Sequence, residues 1–149
     1  MRLEEAIKQE SFRDEYQKVG VNIIYTASWL DLKFTKVFKS YGITGPQFNV
    51  LGILRGSHPK PATVNDIISR MLDKNSNASR IVEKLRVKKF LKRVVCPEDR
   101  RAVNVMITKE GLALLEVMDK EEKKFAVGLD ILSEEEAKML NHLLDKIRG

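Results

Sequence analysis

The chain has 149 residues, 43% hydrophobic and 32% charged, with a net charge of +6, enough for one domain with a real core. No window holds the roughly 18 apolar residues that span a bilayer, and the start MRLEEAIKQESFRDEYQ lacks a secretory apolar run, so cytoplasmic residence is expected. The lone Cys96 excludes an internal disulfide, and with His58 and His142 far apart no metal site and no cofactor is expected.

From about Glu5 to Tyr41 the apolar residues Phe12, Tyr16, Val19, Ile23, Ala27, Leu30, Phe34 and Phe38 recur at helical spacing. Gly20 is the expected division between a short first helix and a longer second part. Thirty helical residues would reach roughly 45 Å, too long for one small domain to cover, which implies a partner surface. Gly42 ends this run, and Thr44 with Pro46 opens a helix over about Gln47–Arg55. After the Gly56–Pro61 break, Thr63 caps a helix with Val64, Ile67, Ile68, Met71 and Leu72 on its apolar face.

A turn through Asp73, Lys74 and Asn75 leads to a further helix, capped by Ser76 and reaching about Lys88. Ala78, Ile81, Val82 and Leu85 fall on its inner side. Ser76, Asn77, Arg80 and Lys84 fall on the other, flanked by Ser79 and Glu83. Two short helices joined by a tight turn, the second with small polar and cationic residues outward, form a helix-turn-helix pattern. Such side chains can enter a major groove and meet base edges.

The period then changes to alternation. Leu91–Cys96 reads as a strand, Pro97–Arg101 as a loop, and Val103, Val105 and Ile107 as the returning strand. A hairpin tipped by Arg100 and Arg101 is a wing, and its arginines suit a narrow, negative minor groove. Thr108 caps a helix from Lys109 to about Val127, which Gly128 stops. The last helix opens with Ser133 and Glu136 as a capping box and carries Leu140, Leu143, Leu144 and Ile147 as its stripe. Both chain ends are therefore expected to build a homodimer interface.

Charge is concentrated in the same middle region. Residues 70–101 hold eleven cations and four anions, a net +7, while the rest of the chain balances to −1. The choice is between a solvated charged face and a polyanion partner. Lys74, Asn75, Ser76, Asn77, Ser79, Arg80, Lys84, Arg100 and Arg101 are the expected DNA contacts. Lys88, Lys89, Lys92 and Arg93 would see phosphates or solvent. Trp29, Phe34, Tyr41 and Phe48 either pack a core or line a ligand pocket. No nucleophile elbow, P-loop or dinucleotide fingerprint is present, so no enzyme is expected. The alternative to a regulator is a winged-helix protein–protein adaptor with an acidic partner.

The ordered set Ile43-Thr44 with Gln47, Asn75 to Arg80, Val82 to Leu85, Asp99-Arg100-Arg101 and Ile107 to Gly111 resembles the MarR family of bacterial transcription regulators. The resemblance implies a mainly α fold with a small β-hairpin wing, a single domain over 1–149. Within it 43–108 would be the DNA-binding lobe, with 1–42 and 109–149 mainly dimerisation helices. It further implies a homodimer, a repressor or an activator, on a pseudo-palindromic duplex. Asp99 would brace the wing by pairing with Arg101, and Arg100 or Arg101 would enter the minor groove. Many relatives release DNA when a small aromatic ligand or an oxidant acts on them. Two departures stand out. Lys89 occupies a position where the family commonly has a left-handed glycine, at a cost of about 1 kcal/mol. Cys96 lies at the wing's base rather than in the first helix, so thiol sensing of the peroxide-sensor kind is not expected.

Overall fold

A computed structural model describes residues 1–149. Helix α1 (Leu3–Ile7) precedes a long α2 (Glu15–Ser40). The expected division at Gly20 is not there. Lys8, in a left-handed conformation, ends α1, and Asp14 opens α2 by accepting the Gln17 N–H at 2.7 Å. One interior glycine costs only about 1 kcal/mol, too little to break a helix carried by its neighbours. Lys18 pairs with Glu4 at 2.6 Å and clips α1 onto α2.

Gly42 (φ +72°) turns the chain out of α2, with Gly42 N–H on the Lys39 carbonyl and Ile43 N–H on that of Phe38. Helix α3 (Gly45–Ser57) starts with a capping box. Thr44 Oγ1 accepts from Gln47 N–H, and Gln47 Oε1 accepts from Thr44 N–H, both at 3.2 Å. Strand β1 (Ala62–Thr63) was not anticipated, because two residues beside prolines show no alternation. Thr63 caps α4 (Val64–Arg70), with Asp66 answering from the third position.

Helix α5 (Ala78–Val87) has its cap one residue later than expected. Asn77, not Ser76, accepts the Arg80 N–H at 3.1 Å, while Ser76 Oγ donates to Asp73 at 2.9 Å. Strands β2 (Leu91–Val94) and β3 (Asn104–Ile107) pair antiparallel, with Leu91 opposite Ile107. Strand β1 adds to the other edge of β3, with Ala62 opposite Val105. The expected single helix to Val127 is instead α6 (Lys109–Asp119) and α7 (Glu122–Ala126), parted at Lys120–Glu121. Gly128 and a short turn over Leu129–Ile131 lead to α8 (Glu134–Arg148), whose Ser133–Glu136 capping box is as anticipated.

One core joins these elements. Val50, Leu51 and Leu54 of α3 meet Ile67 of α4, Leu85 of α5, Leu91 and Val105 of the sheet, and Leu115 and Met118 of α6. Each such side chain contributes about 1.5–3 kcal/mol by leaving water. The ends differ. No residue of α8 is buried, and Ile24 and Leu32 of α2 are 73% and 62% exposed.

The exit from α5 is held tightly. Lys89 has φ +65°, with its N–H on the Arg86 carbonyl and Phe90 N–H on that of Leu85, a Schellman turn closed by lysine where glycine would be unstrained. Thr108 then holds both carbonyls that follow, with its hydroxyl on Lys89 and its N–H on Phe90. Gly111, one turn into α6, lies so close that a Cβ would sit 2.3 Å from the Phe90 carbonyl. Replacing Lys89 with glycine should therefore raise unfolding stability by roughly 0.5–1 kcal/mol in a urea titration. Gly111→Ala should lower it by about 1–3 kcal/mol in the same measurement.

Candidate nucleic-acid interface

The turn between α4 and α5 is shaped by residues that cannot continue a helix. Asp73 accepts from the Asn75 N–H and the Ser76 hydroxyl, each at 2.9 Å, and these bonds hold its carboxyl below the usual carboxylate range. Asn49 of α3 accepts the Leu72 N–H at 3.0 Å and pins the turn to the core. The position of α5 then follows from burial. Ala78, Val82 and Leu85 face inward against α3, α4 and β2, with Ile81 half-buried. Ser79, Arg80 and Lys84 are left on the exposed side.

The expected contact residues do not all stand alike. Arg80 and Lys84 are exposed and outside the ion pairs of this region. Asn75 is exposed, while Ser76 is half-buried and bonded to Asp73. Asn77 is exposed, but one side-chain oxygen is used in capping. Lys74 turns back on α4, where its ammonium donates to the carbonyls of Ile68 at 3.2 Å and Ser69 at 2.6 Å. Arg100 and Arg101 are exposed at the hairpin tip. Asp99 accepts the backbone N–H of Arg101 at 3.0 Å, so its contact is with the loop's main chain rather than the guanidinium.

Glu83 flanks the outward side of α5 but is not among the expected DNA contacts, and only the fold shows what it pairs with. Its carboxylate takes two hydrogen bonds from Arg86 on its own helix, at 3.0 and 2.6 Å, and one from Arg93 of β2 at 3.1 Å. The Arg86 hydrogen bonds chiefly, then the charges of Arg86 and Arg93, hold this carboxyl low, and the pairing raises Arg86. The i, i+3 spacing to Arg86 was legible in the sequence; the bridge to Arg93 needed the hairpin. Arg86 and Arg93 join Lys89, Lys92 and Thr108 around an open cleft of about 410 Å³.

The four aromatic residues separate. Phe34 and Phe48 flank Phe38, whose ring lies 4.8 Å from that of Phe48, and Phe125 stacks on Phe48 at 6.0 Å and on Tyr41 at 6.2 Å. Trp29 stands apart, its ring under Lys33 Nζ at 3.9 Å. Phe34, Phe38 and Phe48 are shared by two cavities. One, of about 360 Å³, reaches Met71, Leu72, Asp73 and Ser76 of the helix-turn-helix; the other, of about 530 Å³, reaches Met118 and Phe125. Phe38 was read only as an apolar position of the first helix. The hydroxyl of Tyr41 is buried without a hydrogen-bond partner.

Residues 41–102, from the end of α2 through the hairpin tip, match the MarR family. The HTH-type transcriptional regulator PecS of Dickeya dadantii is 29% identical over 120 residues, covering 79% of this chain and 72% of that protein. The HTH-type transcriptional regulator MgrA of Staphylococcus aureus is 30% identical over 112 residues, covering 75% and 74%. The structure of the S. aureus MepR–DNA complex superposes with a TM-score of 0.75 at 25% identity, over 92% of this chain and 97% of that one. A helix-turn-helix with an outward polar-cationic second helix, a hairpin behind it and these relatives agree: the chain belongs to the MarR family of DNA-binding transcriptional regulators.

Proposed function

We propose that the protein is a homodimeric, sequence-specific repressor that reads a pseudo-palindromic duplex. The observation that carries this reading is the outward side of α5, where Ser79, Arg80 and Lys84 remain exposed while the opposite side is buried. In this reading α5 lies in a major groove, with Arg80, Asn77 and Ser79 toward base edges and Lys84 near the backbone. Arg100 and Arg101 reach the neighbouring minor groove, and Asp99 keeps the loop's main chain in shape. Lys74 and Ser76 are spent on the turn and position α5 rather than touch bases. The cleft cations Lys89 and Lys92 meet phosphates, while Arg93 stays with Glu83.

Dimerisation is proposed from the ends. Residues 1–42 and 109–149 supply the partner surface, and 43–108 form the reading lobe. A 15-residue amphipathic helix with nothing buried is marginal alone in water. Met139, Leu140, Leu143 and Ile147 of α8, with Ile24 and Leu32 of α2, are the apolar positions that a second copy covers. The cavity between Phe34, Phe38, Phe48 and the α4–α5 turn suits a small aromatic ligand, which would shift α5 by pressing on Leu72 and Ser76.

Selection of bound fragments from the source genome, followed by mobility shifts at moderate salt, tests the reading directly. A protein that retards all duplexes alike would overturn it. Arg80→Ala should cost about 1–3 kcal/mol on the selected duplex and relax preference at one base position. Lys92→Ala should weaken every duplex alike and reduce the salt slope by about one. Leu143→Lys should convert the dimer to monomer in sedimentation and lower operator affinity with it.

A further inference from the structure

We propose that Lys88 is a positioning residue for DNA reading, fastening the foot of α5 to the end of α2 rather than touching phosphate. This rests on the DNA-reading role of α5 proposed above. Lys88 is the residue that caps the end of α5, yet its ammonium crosses to another helix. It donates to the Gly42 carbonyl at 2.6 Å and to Gln47 Oε1 at 3.0 Å. Gln47 is 4% exposed, and its other bonds are the capping box that opens α3. The cation therefore meets α2, α3 and α5 at one corner.

Two electrostatic facts favour a cation there. Two of the three helix ends at the corner are carbonyl ends, those of α2 and α5, each carrying roughly half a negative charge, against the single amide end of α3. The acceptors themselves are the main-chain carbonyl of Gly42, in a left-handed turn, and a buried amide oxygen that Lys88 shares with the Thr44 N–H, and an ammonium donor makes both bonds charge-assisted. With both bonds made, Lys88 is turned from a phosphate ligand into a strut. Its consequence is geometric. Helix α2 carries the exposed Ile24 and Leu32 proposed to meet a second copy, and α5 carries Arg80. The angle between those helices sets how far apart two reading helices stand, and so which half-site spacing the pair accepts.

The test compares Lys88→Met, which keeps length but loses the charge, with Lys88→Arg. Helical content by circular dichroism should be that of the parent in both. On a duplex selected by the parent, with two half-sites, Lys88→Met should bind about tenfold more weakly, with little loss on a single half-site, an unchanged salt slope and a broadened tolerance of half-site spacing. Lys88→Arg should recover most of the loss. Equal loss on all duplexes with the slope reduced by about one would make Lys88 a phosphate contact and overturn the proposal, as would no loss at all.

A second measurement does not need DNA. Spin labels at Thr35→Cys and Ser79→Cys in a Cys96→Ser background, diluted with unlabelled protein, report the α2–α5 distance within one chain. Lys88→Met should shift or broaden that distribution and Lys88→Arg should restore it; an unaltered distribution would overturn the strut. Should the parent select no duplex, the reading of α5 fails while this distance still decides the role of Lys88.

Discussion

The rest of the structure depends on the burial of one side of α5. Ala78, Val82 and Leu85 are pressed into a core built by α3, α4, the sheet and α6, and a ten-residue helix has no other way to be stable in water. Because the helical period ties every residue to a direction, this burial also dictates what the helix shows outside. Ser79, Arg80 and Lys84 are exposed for the same reason that Leu85 is not. This exposed polar and cationic surface is thus a by-product of the packing energy, and a change in the core would rotate it.

Charge is sorted by the same geometry. Of the cations clustered in residues 70–101, several are occupied within the protein. Lys74 closes the end of α4, Lys88 holds the end of α2, and Arg86 with Arg93 shares the Glu83 carboxylate. What remains outward is a smaller set: Arg80 and Lys84 of α5, Lys89 and Lys92 at the cleft, and Arg100 and Arg101 at the hairpin tip. A patch that looks uniform in sequence becomes a few free cations on a braced frame, and such a division suits a surface that must present fixed geometry to a polyanion.

The aromatic cluster links the two regions. Phe34 and Phe38 belong to α2, Phe48 to α3 and Phe125 to α7, and the cavity on one side of them is bounded by Leu72, Asp73 and Ser76 of the turn before α5. Helix α2 therefore borders the approach to α5 through this cavity, and the far end of α5 through the Lys88–Gly42 hydrogen bond.

By itself the sequence determined the kind and order of elements. The caps at Thr44, Thr63, Thr108 and Ser133 and the change from helical to alternating period are local properties, carried by side chains that satisfy their own backbone within three residues. It also determined which side of α5 faces out, since periodicity alone decides that. What only the tertiary structure decided depends on residues distant along the chain. The break before Asp14 in place of Gly20, the parting of α6 from α7, and the pairing of Ala62–Thr63 with β3 each turn on how neighbouring segments pack. The use of each cation was settled there too. A lysine's reach of several ångströms meets whichever carbonyl or carboxylate the fold brings near, and Lys88 meets Gly42 and Gln47 across more than forty residues of chain.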